Sequence, residues 1–221
     1  MLAKERNALE EALSISTDHG APRAARTPPP LKTDSPSSMS GASSRLRTTP
    51  LLLETFRIAL TSIPELRLWV VGDGSERGAT ERMAADLGVA AQVTFWGQQL
   101  EVAPFFSAAD AFIMSSRSEG LPMSLLQAFS LGLPAIVTDV GGMAEVVRLC
   151  QGGIVVPTVD PEGMARGISR LAGSAAERER FPANAGAAFH ERFSLKAMAD
   201  AYVDLYRSTS RSGCSEGIER P

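Results

Sequence analysis

From residue 51 onward the chain alternates strand-length apolar runs with amphipathic stretches, and this rhythm restricts the fold more than any other feature of the sequence. The runs at 66–72 (LRLWVVG), 92–97 (QVTFWG), 111–115 (AFIMS), 134–139 (PAIVTD) and 153–156 (GIVV) are rich in β-branched and aromatic residues and read as buried strands. Between and after them the spacing predicts helices over 50–62, 76–88, 101–109, 122–132, 142–149, 161–173, 175–192 and 194–208. Continuous apolar strands joined by helices need a parallel sheet covered on both faces, because a parallel connection must cross over. The expected fold is therefore α/β, a doubly wound parallel sheet of Rossmann-like type. Local punctuation agrees. Pro122 fits the first turn of a helix, Gly132 with Pro134 ends it, Asp160-Pro161-Glu162 reads as an N-cap followed by a first-turn proline, and Ser194 can cap the last helix.

The first 50 residues differ in kind. They hold six of the 14 prolines, and six of the ten residues 35–44 are serine. Such a stretch has too little periodic apolar content to offset its ordering entropy. Residues 15–44 are expected to be disordered, with a short helix over 2–14 where Leu2, Leu9 and Leu13 share a face. The division is a leader at 1–44, a folded domain at 45–209 and a flexible tail at 210–221.

Charge and apolar patterning narrow the function. A net charge of -3 argues against a protein built to neutralise nucleic-acid phosphates, so no nucleic-acid partner is expected. Cys150 and Cys214 are too few for a disulfide framework or a four-ligand zinc site. No apolar run has the length of a transmembrane segment, and the charged start MLAKERNALEEALS lacks the apolar core of a secretory signal. The expected location is cytoplasmic, or peripheral at the inner membrane face.

In an open parallel sheet, ligands bind beyond the carboxyl ends of the strands. The loop Gly72-Asp-Gly-Ser75 begins like a dinucleotide-binding turn, but Arg77 occupies the third glycine's position and the next strand end offers no carboxylate for a ribose. The loop after the third run is richer. SSRSEGLPMSLLQAFSLGL combines a strand end, a polar loop with the single carboxylate Glu119, and a proline-started helix whose first amides, near Met123 and Ser124, suit a phosphate. Glu119 reads equally well as a complement to that helix's dipole. Gln127, one turn on, reads equally well as a surface residue.

The segment EGLPMSLLQAFSLGLPAIVTDVGGMAEVV resembles the hallmark of the retaining, nucleotide-sugar-dependent glycosyltransferases of GT-B fold, group 1 or family 4 type. The likeness extends from about residue 50 to 208. It implies the carboxyl-terminal, donor-binding half of a two-domain enzyme that transfers a sugar from a UDP- or GDP-linked donor to an acceptor, with retention. By position, Glu119 would face the donor sugar, the backbone around Gly120, Leu121, Met123 and Ser124 would meet sugar and diphosphate, and the loop after Gly97 would approach the base. Gln127 takes the place of the family's second glutamate, which meets the ribose hydroxyls. The resemblance implies metal independence and no cofactor, in keeping with the absence of a D-x-D motif.

Two departures stand against it. An amide at Gln127 keeps an acceptor oxygen but loses the charge that strengthens a hydrogen bond to a hydroxyl. The family's first strand, and the Arg and Lys that follow it, are not recognisable, so Arg47 or Arg45 would have to meet the diphosphate. The folded residues supply one Rossmann-like domain where the resemblance calls for two, implying a separate acceptor-domain chain or self-association. The alternative reading is a non-catalytic donor-binding or partner subunit. A sugar-nucleotide epimerase on the same fold has no residue here to mark it out.

Overall fold

The computed structural model describes residues 12–16 and 49–212. In chain order they form β1 (Ala12–Ser16), α1 (Thr49–Leu60), β2 (Arg67–Val71), α2 (Arg77–Asp86), β3 (Val93–Gly97), α3 (Ala103–Ala108), β4 (Ala111–Met114), α4 (Met123–Ser130), β5 (Ala135–Thr138), α5 (Gly141–Cys150), β6 (Gly153–Val156), α6 (Pro161–Gly173), α7 (Ala175–Ala188) and α8 (Leu195–Ser212). A π-helical turn at Phe189–Phe193 separates the last two helices, where the sequence suggested one helix to 192. The remaining elements lie where the apolar rhythm puts them.

The six strands form one sheet in the order β3-β2-β1-β4-β5-β6. β2 runs parallel to β3, β4 to β5 and β5 to β6. The central strand differs: β1 is antiparallel to both β2 and β4, with Ala12 opposite Val71 and Ile15 opposite Ala111. Two expectations are corrected here. The helix over 2–14 gives way to a strand from residue 12, since all five residues pair with β2 and Leu13 to Ile15 pair with β4 as well, more backbone bonding than a single helical turn supplies. A first strand, not recognisable in the sequence, is present at residues 12–16 and lies between β2 and β4 in the reverse direction. Residues 2–11, 17–44 and the tail from 213 lie outside the described residues.

Alternate strand residues face opposite layers, as the two-residue side-chain period requires. Leu68, Val70, Ala111, Ile113, Ile136 and Val156 pack with α1, α2 and α6. Trp69, Val71, Phe112, Met114, Ala135 and Val137 pack with α3, α4, α5 and α7. Phe56, Phe105, Phe106, Phe112 and Phe129 are among the largest fully buried side chains, each worth about 1.5–3 kcal/mol of apolar burial. Cys150 is a free, buried thiol, and burial pushes its pKa up. No described helix is long and apolar enough to cross a membrane.

Candidate functional site

Strand order reverses between β1 and β4, and the crevice at such a switch point is where open α/β sheets bind ligands. The loop leaving β4 there is Ser115 to Pro122. Its carboxylate is fixed locally: Ser116 Oγ donates to Glu119 Oε1 at 2.9 Å. The loop is also tied to the next strand, because the buried Thr138 Oγ1 at the end of β5 donates to the Ser116 carbonyl at 2.5 Å. Glu119 is half-buried while Gly120 and Leu121 are exposed.

The opposite wall is the amino end of α5. Gly141 has φ +46°, and a Cβ built there would lie 1.9 Å from the Glu119 carbonyl oxygen. One on Gly142 would lie 2.8 Å from the Gly120 carbonyl. Only glycine lets the two backbones approach this closely. The pair Gly141-Gly142 was the available signal, since two glycines after a strand ending in Thr-Asp mark such an approach.

Two helix amino ends thus meet at one loop. α4 starts after Pro122, which stands at the N-cap position and not inside the first turn. α5 starts after Val140. Neither start has a side-chain cap or an acidic residue in its first turn. Their first amides and dipoles therefore give the loop anion-binding character. Within α4, Ser124 is buried and its Oγ has no hydrogen-bond partner among the described residues. Met123 is exposed on the first turn and Gln127 on the second. Leu131 is exposed, because the helix has already ended at Ser130.

The remaining predicted residues are more distant. Gly97 ends β3, the edge strand, three positions from β4, or about 14 Å along the same carboxyl edge. It has φ +67°, and its carbonyl accepts from the Gly72 amide at 2.8 Å. Arg77, which sequence reading used only as a missing glycine, covers Gly97 and donates to the Phe95 carbonyl at 3.3 Å. Arg47 and Arg45 lie outside the described residues. On the far side, Asp139 at the end of β5 is bonded by Arg148, which holds its carboxyl below the ordinary pKa.

A family model described as glycosyl transferases group 1 matches residues 41–174. The lipopolysaccharide core biosynthesis glycosyltransferase LpsE of Rhizobium meliloti is 35% identical over 150 residues, covering 68% of this chain and 44% of LpsE. Among solved structures, sucrose-phosphate synthase from Thermosynechococcus elongatus matches with a TM-score of 0.64 and 27% identity, over 73% of this chain and 43% of that one. HepE from Anabaena, solved in complex with UDP, shares the fold at a TM-score of 0.66 and 20% identity, over 75% of this chain and 47% of its own. The chain spans less than half the length of each of these relatives. With the Rossmann-like sheet of GT-B enzymes and the match running across its strands, the chain belongs to the group 1 glycosyl transferases.

Proposed function

We propose that this chain supplies the donor site of a retaining glycosyltransferase that moves a sugar from a UDP- or GDP-linked donor to an acceptor held by a further domain or chain. The observation that carries the reading is the Glu119 loop, clasped between two helix starts without side-chain caps at the switch point of the sheet. Ser116 orients one carboxylate oxygen of Glu119 and leaves the other for donor sugar hydroxyls. The diphosphate lies on the amides around Gly120 to Ser124, where the helix dipoles stabilise the negative charge that grows on it as the bond to the sugar breaks. Gln127 accepts from ribose hydroxyls, and the loop after Gly97 meets the base.

The test is calorimetry with UDP, GDP, ADP and the matching sugar donors. One nucleoside diphosphate is expected to bind. Glu119→Gln should weaken the intact sugar donor about tenfold, the value of one charged hydrogen bond, and leave the bare diphosphate unchanged. No binding at millimolar concentration would end this reading.

Gln127 favours a second reading, a non-catalytic donor-binding subunit, because an exposed amide stands where the resemblance has a carboxylate. Gln127→Glu separates the two. Donor hydrolysis or transfer in that variant supports the enzyme, and persistent inactivity with tight donor binding supports the subunit.

A further inference from the structure

At the carboxyl ends of β2 and β3 stands an arrangement that the donor site as described does not use. The pairing of these strands shifts register between Val70 and Val71, so that Val71 meets Gly97. Such a bulge re-aims the chain that leaves the strand. Arg77 is the first residue of α2, where a positive side chain opposes the helix dipole. The guanidinium is held there nonetheless. Its Nε donates to Glu81 Oε1 at 2.7 Å, its Nη1 lies 3.7 Å from Asp73 Oδ2, and its Nη2 donates to the Phe95 carbonyl. Asp73 in turn accepts from the Gly74 amide at 2.8 Å.

The result is a planar fork that joins the β2–α2 loop to the tip of β3. A Cβ on Gly97 would lie 2.9 Å from Arg77 Nη1, so the guanidinium rests directly on the glycine backbone. Just beyond, Gln99 Nε2 donates to the Trp96 carbonyl at 2.6 Å, and Leu100 stands 88% exposed. The segment 97–101 is thus a largely exposed polar loop carrying one exposed leucine, and Arg77 is bonded to the strand from which it leaves. Lysine could not reproduce this, having no rigid fork to reach two acids and a carbonyl together.

We propose that Arg77 is a positioning residue that fixes the path of segment 97–101 and thereby sets which nucleobase the donor site accepts. The proposal rests on the donor-site reading above. A donor anchored by its sugar at Glu119 and extended along the carboxyl edge brings its nucleoside end to this segment, and Arg77 acts on it through the loop without touching it.

The test uses the full chain with Arg77→Met and Arg77→Lys, titrated with UDP, GDP, ADP and inorganic pyrophosphate, and amide exchange across 97–101. Arg77→Met should weaken the preferred nucleoside diphosphate about tenfold, because binding must then also order a loop that is no longer held. It should also narrow the ratios among the three bases, speed exchange at 97–101 and leave pyrophosphate binding unchanged. Arg77→Lys should recover part of the loss, and it carries the test alone if the Met variant does not fold. Unchanged base ratios, or an equal fall in all four ligands, would overturn the role of Arg77 while the donor-site reading stood. A wild-type chain that binds none of the four would overturn both.

Discussion

From α2 to α8 the helices differ in how they begin: α2 and α3 open on Glu76 and Val102 without a side-chain cap bond, as α4 and α5 do, while the last three are capped. α6, α7 and α8 open with a side chain that accepts from the third residue beyond it: Asp160 from the Gly163 amide at 2.7 Å, Ser174 from Glu177 at 3.2 Å and Ser194 from Ala197 at 3.2 Å. α4 and α5 open on Pro122 and Val140, which have no such group. A cap typically stabilises a helix by about 1 kcal/mol, so the two helices at the switch point forgo stability that the other three take. In place of caps they have backbone packing, through Gly141 and Gly142 against Glu119 and Gly120. What sets α4 and α5 apart from the equally uncapped α2 and α3 is that both of their starts meet at the Glu119 loop, while the capped helices beyond β6 lie away from it.

The strongest way to break that contrast is Gly141→Ala. Its Cβ cannot coexist with the Glu119 carbonyl, and a positive φ disfavours it independently, so a loss of about 3 kcal/mol or more is expected. Thermal melting should show a fall of roughly 6–12 °C. Gly120→Ala is the control, since nothing lies within 4 Å of its new methyl, and its stability should stay within about 0.5 kcal/mol of the parent. Next in size, Asp160→Ala should cost about 1 kcal/mol in urea unfolding, with nucleotide affinity unmoved. Smallest is Val140→Thr, which adds a hydroxyl at an extended N-cap backbone. It should raise stability by up to about 1 kcal/mol and weaken pyrophosphate binding several-fold. If affinity stayed constant, the absence of a cap on α5 would have no connection with ligand.

Most of the architecture was legible because its signals are local. The runs LWVV, AFIM, AIVT and GIVV carry both faces of the sheet in alternate residues, and Asp160-Pro161 and Ser194 announce helices that begin there. β1 was not legible. ALSIS is too short to outweigh the helical spacing of Leu2, Leu9 and Leu13 around it, and its partners lie far along the chain. Of the site, Glu119 and the α4 start were readable as a strand-loop-helix pattern. Gly141 against Glu119, and Arg77 on Gly97, were not, because each joins two loops whose approach depends on strand order. α8 was legible too: Tyr202, Leu205 and Tyr206, close in helical spacing, form an apolar face with no partner among the described residues to cover it, and with Leu195 and Met198 all are at least half exposed. Tyr202 and Tyr206 stack on each other there.

The reversed central strand also has a consequence in time. Ile15 pairs with Ala111, a separation of 111 - 15 = 96 residues. At about 5–20 residues per second, several seconds pass on the ribosome between the synthesis of β1 and the arrival of β4. Until then β1 can pair only with β2, in a ribbon that β3 extends to three strands, and the other edge of β1 stays open; such edges invite pairing with other chains. The segment that joins the two halves of the sheet is thus made before both of its partners and secured only when the later one arrives, and the yield of folded protein should depend on how well that waiting edge is shielded.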